Sequence, residues 1–380
     1  MALKGVKVIE MAGLAPAPFC GMILADFGAR VIRVDRTKYA DMDRLARGKQ
    51  SIAVDLKKKE GVTVIQRLCR GADVLIEPFR HGVMEKLGLG PDVMLTDNPR
   101  LVYARLTGFG QSGPLARKAG HDINYLAISG VLSRFGRHNE NPSFPLNLLA
   151  DFAGGGLMCA LGITMALFER TRSGKGQVVD ANMVEGAAYI GSFIWRTRDL
   201  PFLSGNPRGQ NMLDHGSAFY EVYKTADDKY MSVGALEPQF FNDLLKGLGL
   251  DPEKVSQTDD PEELKTVFRE KFLSKTRDEW TNIFVDGHLD ACVFPVLETD
   301  EAPCYPHNKE NQSFLHTSSG DPEPGPAPNL SRTPGVDRVK PQPRTGHDTE
   351  SVLLEAGFSK SEIEHLIEAN VIEQNVQSKL

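Results

Sequence analysis

Within the first eighty residues, short β-branched runs alternate with helical stretches, and this order restricts the fold more than any other feature of the chain. Residues 6–10 (VKVIE) read as a strand, Gly13 to Pro18 break it, and residues 19–27 carry apolar side chains at helical spacing up to Gly28. Residues 30–35 (RVIRVD) read as a second strand, 52–56 as a third, 61–69 as a helix and 74–76 as another strand. The order β-α-β-β-α-β implies an α/β fold whose mainly parallel, Rossmann-like sheet is covered on both faces. Such sheets bind ligands beyond the carboxyl ends of their strands.

At 380 residues the chain exceeds what one core usually supports, so two domains are expected. The apolar stretch 146–168 approaches membrane-spanning length. Asn147, Asp151 and the triplet Gly154-Gly155-Gly156 interrupt it, which favours a loop followed by a buried helix over residues 155–168 rather than a membrane span. A turn at 172–176, a strand over 177–181 and a helix through Trp195 follow. Residues 219–233 read as a β-hairpin about Ala226-Asp227-Asp228, and helical patterns fill 239–248 and 261–284 before a strand at 291–297. Seven prolines between Asp321 and Arg344 make an extended connection, after which 349–357 and 360–369 read as a helical pair. The expected partition is a large domain over 1–200, a smaller α+β domain over 215–310, a Pro-rich connection over 311–345, and helices over 346–380 returning to the large domain.

Composition narrows the function classes. The 41% apolar and 25% charged fractions are those of a folded soluble protein. Cys20, Cys69, Cys159, Cys292 and Cys304 are scattered without Cys-x-x-Cys spacing, as expected of reduced thiols rather than a disulfide framework or zinc site. No apolar secretory stretch opens the sequence, and Ser378-Lys379-Leu380 has the form of a peroxisomal address read by an import receptor. The net charge of −6 disfavours a nucleic-acid partner. Between Arg30 and Lys59, however, ten basic residues face four aspartates. Such a run is either a solvated charged face or a site for a phosphorylated small molecule.

No Gly-x-Gly-x-x-Gly follows the first strand, and Gly174-Lys175 is no phosphate loop because Glu169 stands where its first glycine belongs. Gly-x-Ser-x-Gly and His-Glu-x-x-His are absent too, and the nine histidines are dispersed. Two local settings remain. His121, in GHDINY after the Gly-rich run TGFGQSG, is able to exchange a proton near neutral pH, or it and Asp122 cap a helix over 123–132. Asp151, in NLLADFAGGG, either caps the following helix or is desolvated enough by its apolar neighbours to act as an acid or base.

The segments LAPAPFCGMILADFGARVIRVDR, EPFRHGVMEKLGLGP, YARLTGFGQSGP, GHDINYLAISGVL, PLNLLADFAGGGLMCALGI, GKGQVVDANMVEG and GALEPQF resemble the α-methylacyl-CoA racemases within the family III CoA-transferase group. The resemblance spans nearly the whole chain, and GHDINY together with LLADFAGGG is its most specific part. It implies a large Rossmann-like domain built from N- and C-terminal parts, a smaller α+β domain and an interlocked homodimer. It also implies that His121 and Asp151 are acid/bases on opposite faces of the α-carbon of a 2-methylacyl-CoA thioester, one removing the proton and the other returning it through an enolate. No cofactor or metal is expected, because the thioester itself acidifies the α-hydrogen; CoA is part of the substrate.

By the same resemblance Glu237 hydrogen-bonds His121, and Asn147 and Tyr125 support the carboxylate. Arg36, Val54, Asp55, Leu56 and Lys57, with Gly120, His121, Asp122, Ile123, Asn124 and Tyr125, contact CoA and substrate. The implied role lies in branched-chain fatty acid and bile acid intermediate oxidation, in the peroxisome and also the mitochondrion. Two departures stand out: TKYADMD at 37–43 is shorter and less Gly/Pro-rich than the family pattern, and His215 replaces a small residue. The alternatives are a family III CoA-transferase using Asp151 as nucleophile and a non-enzymatic acyl-CoA carrier.

Overall fold

The structure is a computed structural model describing residues 1–38, 43–318 and 320–375; Tyr39 to Met42 and Ser378-Lys379-Leu380 lie outside the described residues. The chain divides into two compact units. The larger holds Met1–Ser129, Pro145–Ile190 and His307–Leu380, and the smaller Gly130–Phe144 and Gly191–Pro306.

The larger unit is built on β1 (Lys7–Met11), β2 (Arg30–Asp35), β3 (Gln50–Val54), β4 (Val74–Glu77), β5 (Val102–Thr107) and β6 (Val178–Asn182), all parallel to their neighbours. The order across the sheet is β3-β2-β1-β4-β5-β6, the short helices α3 (Val83–Lys86) and α4 (Pro91–Asp97) connect β4 to β5, and the short strand Ile372–Glu373 adds antiparallel to β3. Alternating side chains put Ile9, Met11, Ile32, Val34, Ile52 and Val54 into one apolar layer. That layer packs beneath helix α2 (Lys59–Arg70), through Val64, Ile65 and Leu68, and beneath the helices Thr349–Glu355 and Lys360–Glu368, through Val352, Leu353, Ile363 and Leu366. The chain's last helices thus cover its first strands, with the bounds the sequence predicts to within two residues.

On the opposite face, towards α1 (Pro16–Asp26), the sheet carries charge. Lys49 Nζ lies 2.8 Å from Glu10 Oε2, with both side chains fully buried, and it also donates to the Pro18 carbonyl at 2.8 Å. Arg33 pairs with Asp35 and Asp43, Arg47 with Asp26, and Arg105 with Glu77 and Glu85. Four members of the basic run, Arg30, Arg33, Arg47 and Lys49, are therefore spent on internal ion pairs. Arg36 and Lys57, the two basic residues of the run expected to contact CoA, are not among them. Ions inside a parallel sheet must find partners because burial strips their hydration.

Three other expectations change. β5 is absent from the sequence reading. The helix expected to reach Trp195 stops at Ile190: α7 (Met183–Ile190) ends before Gly191 and the short α8 (Ser192–Arg196) follows. Residues 155–168 do begin a helix, but it starts earlier. A π-helical stretch, Leu148–Leu157, runs without interruption into α6 (Met158–Ser173). By length and composition Leu148–Ser173 is apolar enough to cross a membrane, with 39% of its most apolar window buried against the larger unit. The glycines permit this continuation, since Gly154 and Gly186 bring the stretch and α7 into direct backbone contact.

The smaller unit contains the antiparallel strands β7 (Tyr220–Lys224), β8 (Tyr230–Gly234) and β9 (Val293–Pro295), packed on α9 (Pro238–Gly247), α10 (Pro261–Phe272) and α11 (Arg277–Phe284) through Tyr223, Phe241, Phe268, Phe272 and Trp280. One helix was expected over 261–284. Thr276 instead starts α11 with its own reciprocal cap, its hydroxyl accepting from the Glu279 N–H while the Glu279 carboxylate accepts from the Thr276 N–H. The large-domain boundary near residue 200 also moves, because residues 130–144 and 191–200 belong to this unit. Arg134 donates to the Ser204 and Asn206 carbonyls at 2.8 and 3.1 Å, and Arg137 pairs with Glu221 at 3.1 Å.

Removing one partner of the Glu10–Lys49 pair leaves a buried ion uncompensated. Lys49→Met is expected to lower unfolding stability by about 3–5 kcal/mol. Adding Glu10→Met should recover most of that loss, as read by urea denaturation; equal losses in the single and double variants would count against the pairing.

Candidate active site

α5 (Asp122–Ile128) starts at His121, whose extended backbone (φ −132°, ψ 175°) makes it the first flanking residue of the helix. The Asn124 side-chain oxygen accepts from the His121 N–H at 3.1 Å, which fixes the entry of the chain and leaves the imidazole exposed. Ile123 and Asn124 are exposed as well, whereas Tyr125 is 9% exposed. The Tyr125 ring lies edge-on to Phe109 at 4.9 Å, and its hydroxyl donates to the Gly120 carbonyl. Both neighbouring glycines are required. A Cβ on Gly108 would sit 2.1 Å from the Tyr125 ring, and one on Gly120 would sit 2.7 Å from it.

Asp151 lies in the first turns of the π-helical stretch rather than at its cap. The wide turn is accommodated because Gly154 and Gly156 press against the backbone of neighbouring segments, as does Gly186 of α7 in return. A Cβ on Gly154 would meet the Ala187 nitrogen at 2.6 Å, one on Gly156 the Pro16 carbonyl at 2.7 Å, and one on Gly186 the Gly154 carbonyl at 1.8 Å. Phe152 packs edge-on against Phe19 at 5.1 Å.

The cap comes from a distant residue. Asp122 Oδ2 accepts from the Ala150 and Asp151 N–H groups, each at 2.7 Å. The sequence reading has Asp122 capping the helix that follows it and contacting substrate. Its side chain is instead 3% exposed and turned towards Leu148–Leu157. Asp151, expected either to cap or to titrate, caps nothing. Asn147 Nδ2 donates to Asp151 Oδ2 at 3.3 Å.

Burial pushes the Asp151 carboxyl above the usual aspartate range; the Asn147 donor opposes this, the Asp122 charge adds to it, and His121 opposes it. Burial also raises the Tyr125 hydroxyl, with the Asp151 charge adding and Arg80 opposing. His121, Asp122, Tyr125, Asn147 and Asp151 therefore form one electrostatic neighbourhood. Asp151 is its half-buried acid, with a donor on one oxygen and an imidazole in range.

A second feature of the larger unit is a cavity of about 420 Å³ beyond the carboxyl ends of β1 to β4. Its lining includes Arg36, Val54, Asp55, Leu56 and Lys57, with Met11, Ala12 and Phe79. Arg36 and Lys57 are exposed and have no ion-pair partner among the described residues. Phe79 enters the cavity, and the next residue, Arg80, is the cation felt by Tyr125, so one strand exit links cavity and acid/base cluster. Glu237 belongs to the smaller unit, where it is the exposed flanking residue at the start of α9. His215 is there too, its Nδ1 3.1 Å from Glu221 Oε2, in a left-handed backbone conformation (φ 80°) that a glycine adopts without strain.

The model of CoA-transferase family III matches residues 3–349. The chain belongs to CoA-transferase family III. Among its relatives, the α-methylacyl-CoA racemase of Homo sapiens is 58% identical over 99% of this chain and 98% of that protein. The racemase of Mus musculus is 58% identical over the same shares. The crystal structure of a CAIB/BAIF family protein from Brucella suis superposes with a TM-score of 0.80 at 24% identity, covering 93% of this chain and 99% of that one, and shares its fold. In this family member the α/β sheet, the cavity beyond its strand ends and the His121–Asp151 neighbourhood all lie in the larger unit.

The backbone contact that seats Asp151 is testable. Gly186→Ala forces a methyl into the Gly154 carbonyl and is expected to cost about 3 kcal/mol in denaturant unfolding. Gly71→Ala, at an ordinary φ of −105° with nothing within 4 Å of the new methyl, should change stability by less than about 1 kcal/mol. Equal effects at the two positions would contradict the close approach.

Proposed function

We propose that the chain is an α-methylacyl-CoA racemase, interconverting the R and S forms of 2-methyl-branched acyl-CoA thioesters by proton transfer at carbon 2. The observation that carries this reading is the pairing of a half-buried carboxyl, Asp151, with an imidazole, His121, close enough to act on its charge. The near full-length identity to racemases supports the same class.

The thioester carbonyl withdraws electron density from carbon 2 and makes its hydrogen acidic. Asp151, as carboxylate, takes the proton from one face and leaves an enolate. Protonated His121 returns a proton to the opposite face; the reverse direction exchanges the roles. A single base would mostly return the proton to the face it came from, so inversion needs both. Burial supplies the tuning, since a carboxyl held above its usual range is the stronger base for removing the proton, and its acid form persists to higher pH. Arg36 and Lys57 would bind the phosphates of CoA beside the 420 Å³ cavity, and Asn147 and Tyr125 would hold the carboxylate in place. Glu237 would orient His121, and the working form would be a homodimer. In this reading the thioester's own acidity makes a cofactor unnecessary.

Incubating either epimer of a 2-methylacyl-CoA in deuterated water should place deuterium at carbon 2 and drive the two epimers to a common ratio. His121→Ala is expected to lower interconversion at least about a hundredfold. Parental racemisation by that variant would remove His121 from the mechanism, and CoA passage to a free acid without exchange would favour a transferase. We also propose peroxisomal delivery through Ser378-Lys379-Leu380. A fluorescent fusion carrying these residues at its end should co-localise with peroxisomes and lose that location when they are deleted; unchanged location would refute the signal.

A further inference from the structure

We propose that Asp122 is a positioning residue that holds the two acid/base side chains in register, by joining the chain directly after His121 to the backbone that carries Asp151. This deepens the racemase reading and rests on it.

The geometry is specific. Asp122 follows His121 in the chain, yet its side chain is 3% exposed and accepts from the Ala150 and Asp151 N–H groups at 2.7 Å each, 28 and 29 residues away. One carboxylate oxygen therefore ties both halves of the proposed acid/base pair. Asn147, the residue at the start of the π-helical stretch, makes no side-chain cap and donates to Asp151 instead. Capping is thus delegated from the segment's own flanking residue to the neighbour of His121. A purely local cap would stabilise the helix equally well but would not fix its distance to the imidazole.

The second oxygen of Asp122 is buried and has no hydrogen-bond partner among the described residues. An unpartnered oxygen is costly, and it leaves negative charge facing the same neighbourhood. That charge acts on Asp151 in the same direction as burial, the larger cause, towards retention of its proton. Asp122 thereby fixes the place of the Asp151 carboxyl and, beside the larger effect of burial and against the Asn147 donor and His121, adds to the rise of its pKa. Removing the charge lets Asp151 ionise at lower pH, so the acid limb of the rate profile should move down.

The test compares Asp122→Ala, Asp122→Asn and Asp151→Asn in the full chain, following deuterium incorporation and epimer interconversion of a 2-methylacyl-CoA across pH. Circular dichroism of each variant reports the fold. Asp122→Ala is expected to lose about a hundredfold in kcat with KM little changed, the cost of a misplaced reacting group. Asp122→Asn keeps an oxygen to accept both N–H groups; it should regain most of the lost rate and shift the acid limb to lower pH. Parental kcat in Asp122→Ala, or failure of Asp122→Asn to regain the lost rate, would overturn the positioning role while leaving the racemase reading intact. Parental exchange by Asp151→Asn would overturn the racemase reading itself.

Discussion

The contact on which the site depends is that between two glycines. Where Gly186 of α7 meets the Gly154 carbonyl, no side chain separates the two helices, and Gly156 makes a similar approach to Pro16 at the start of α1. Close-packed interiors transmit small displacements rather than absorbing them. The seat of the π-helical stretch is therefore fixed from two sides, and with it the height at which Asp151 stands. Wide helical turns recur at functional sites, because they rotate a side chain out of the regular helical register.

Charge is distributed between two tasks. Within the sheet, Glu10, Arg33, Lys49, Glu77 and Arg105 are matched pair by pair, and the match is imperfect in one informative respect. Glu10 is pushed up to about 7 by burial even though Lys49 opposes it, and burial moves Glu77 to about 7 despite Arg105. Desolvation offsets much of the attraction in such pairs. At the sheet's edge, Arg36 and Lys57 remain exposed beside an apolar cavity, the arrangement suited to a ligand that carries phosphates on an otherwise organic body.

Much of this could be read from the residues. β1, β2 and β4 and helix α2 follow from β-branched runs and amphipathic spacing, and the terminal helical pair follows from its apolar period and its Gly turn. β5 escaped because Arg105 interrupts an otherwise apolar VYARLT, and only the structure shows Glu77 waiting beside it. The Gly154-Gly155-Gly156 triplet reads as a break, since glycine weakens an isolated helix; here the absence of side chains is what lets this part of the helix lie against α7 and the start of α1. Asp122 reads as a cap for the helix that follows it, whereas its carboxylate accepts from Ala150 and Asp151. Its partners lie 28 residues downstream, and no local pattern announces a cap delivered from that distance.

The return of the chain has a consequence for synthesis. Val352, Leu353, Ile363 and Leu366 complete the layer that Ile9, Ile32 and Ile52 begin, and Ile372–Glu373 closes the edge at β3. A nascent polypeptide emerging from the ribosome therefore exposes both that apolar surface and an open strand until residues 352–373 are made. Such high contact order delays closure, and unpaired edges in the interval invite pairing with other chains. The edge of β3 thus stays open to pairing until Ile372 and Glu373 reach it.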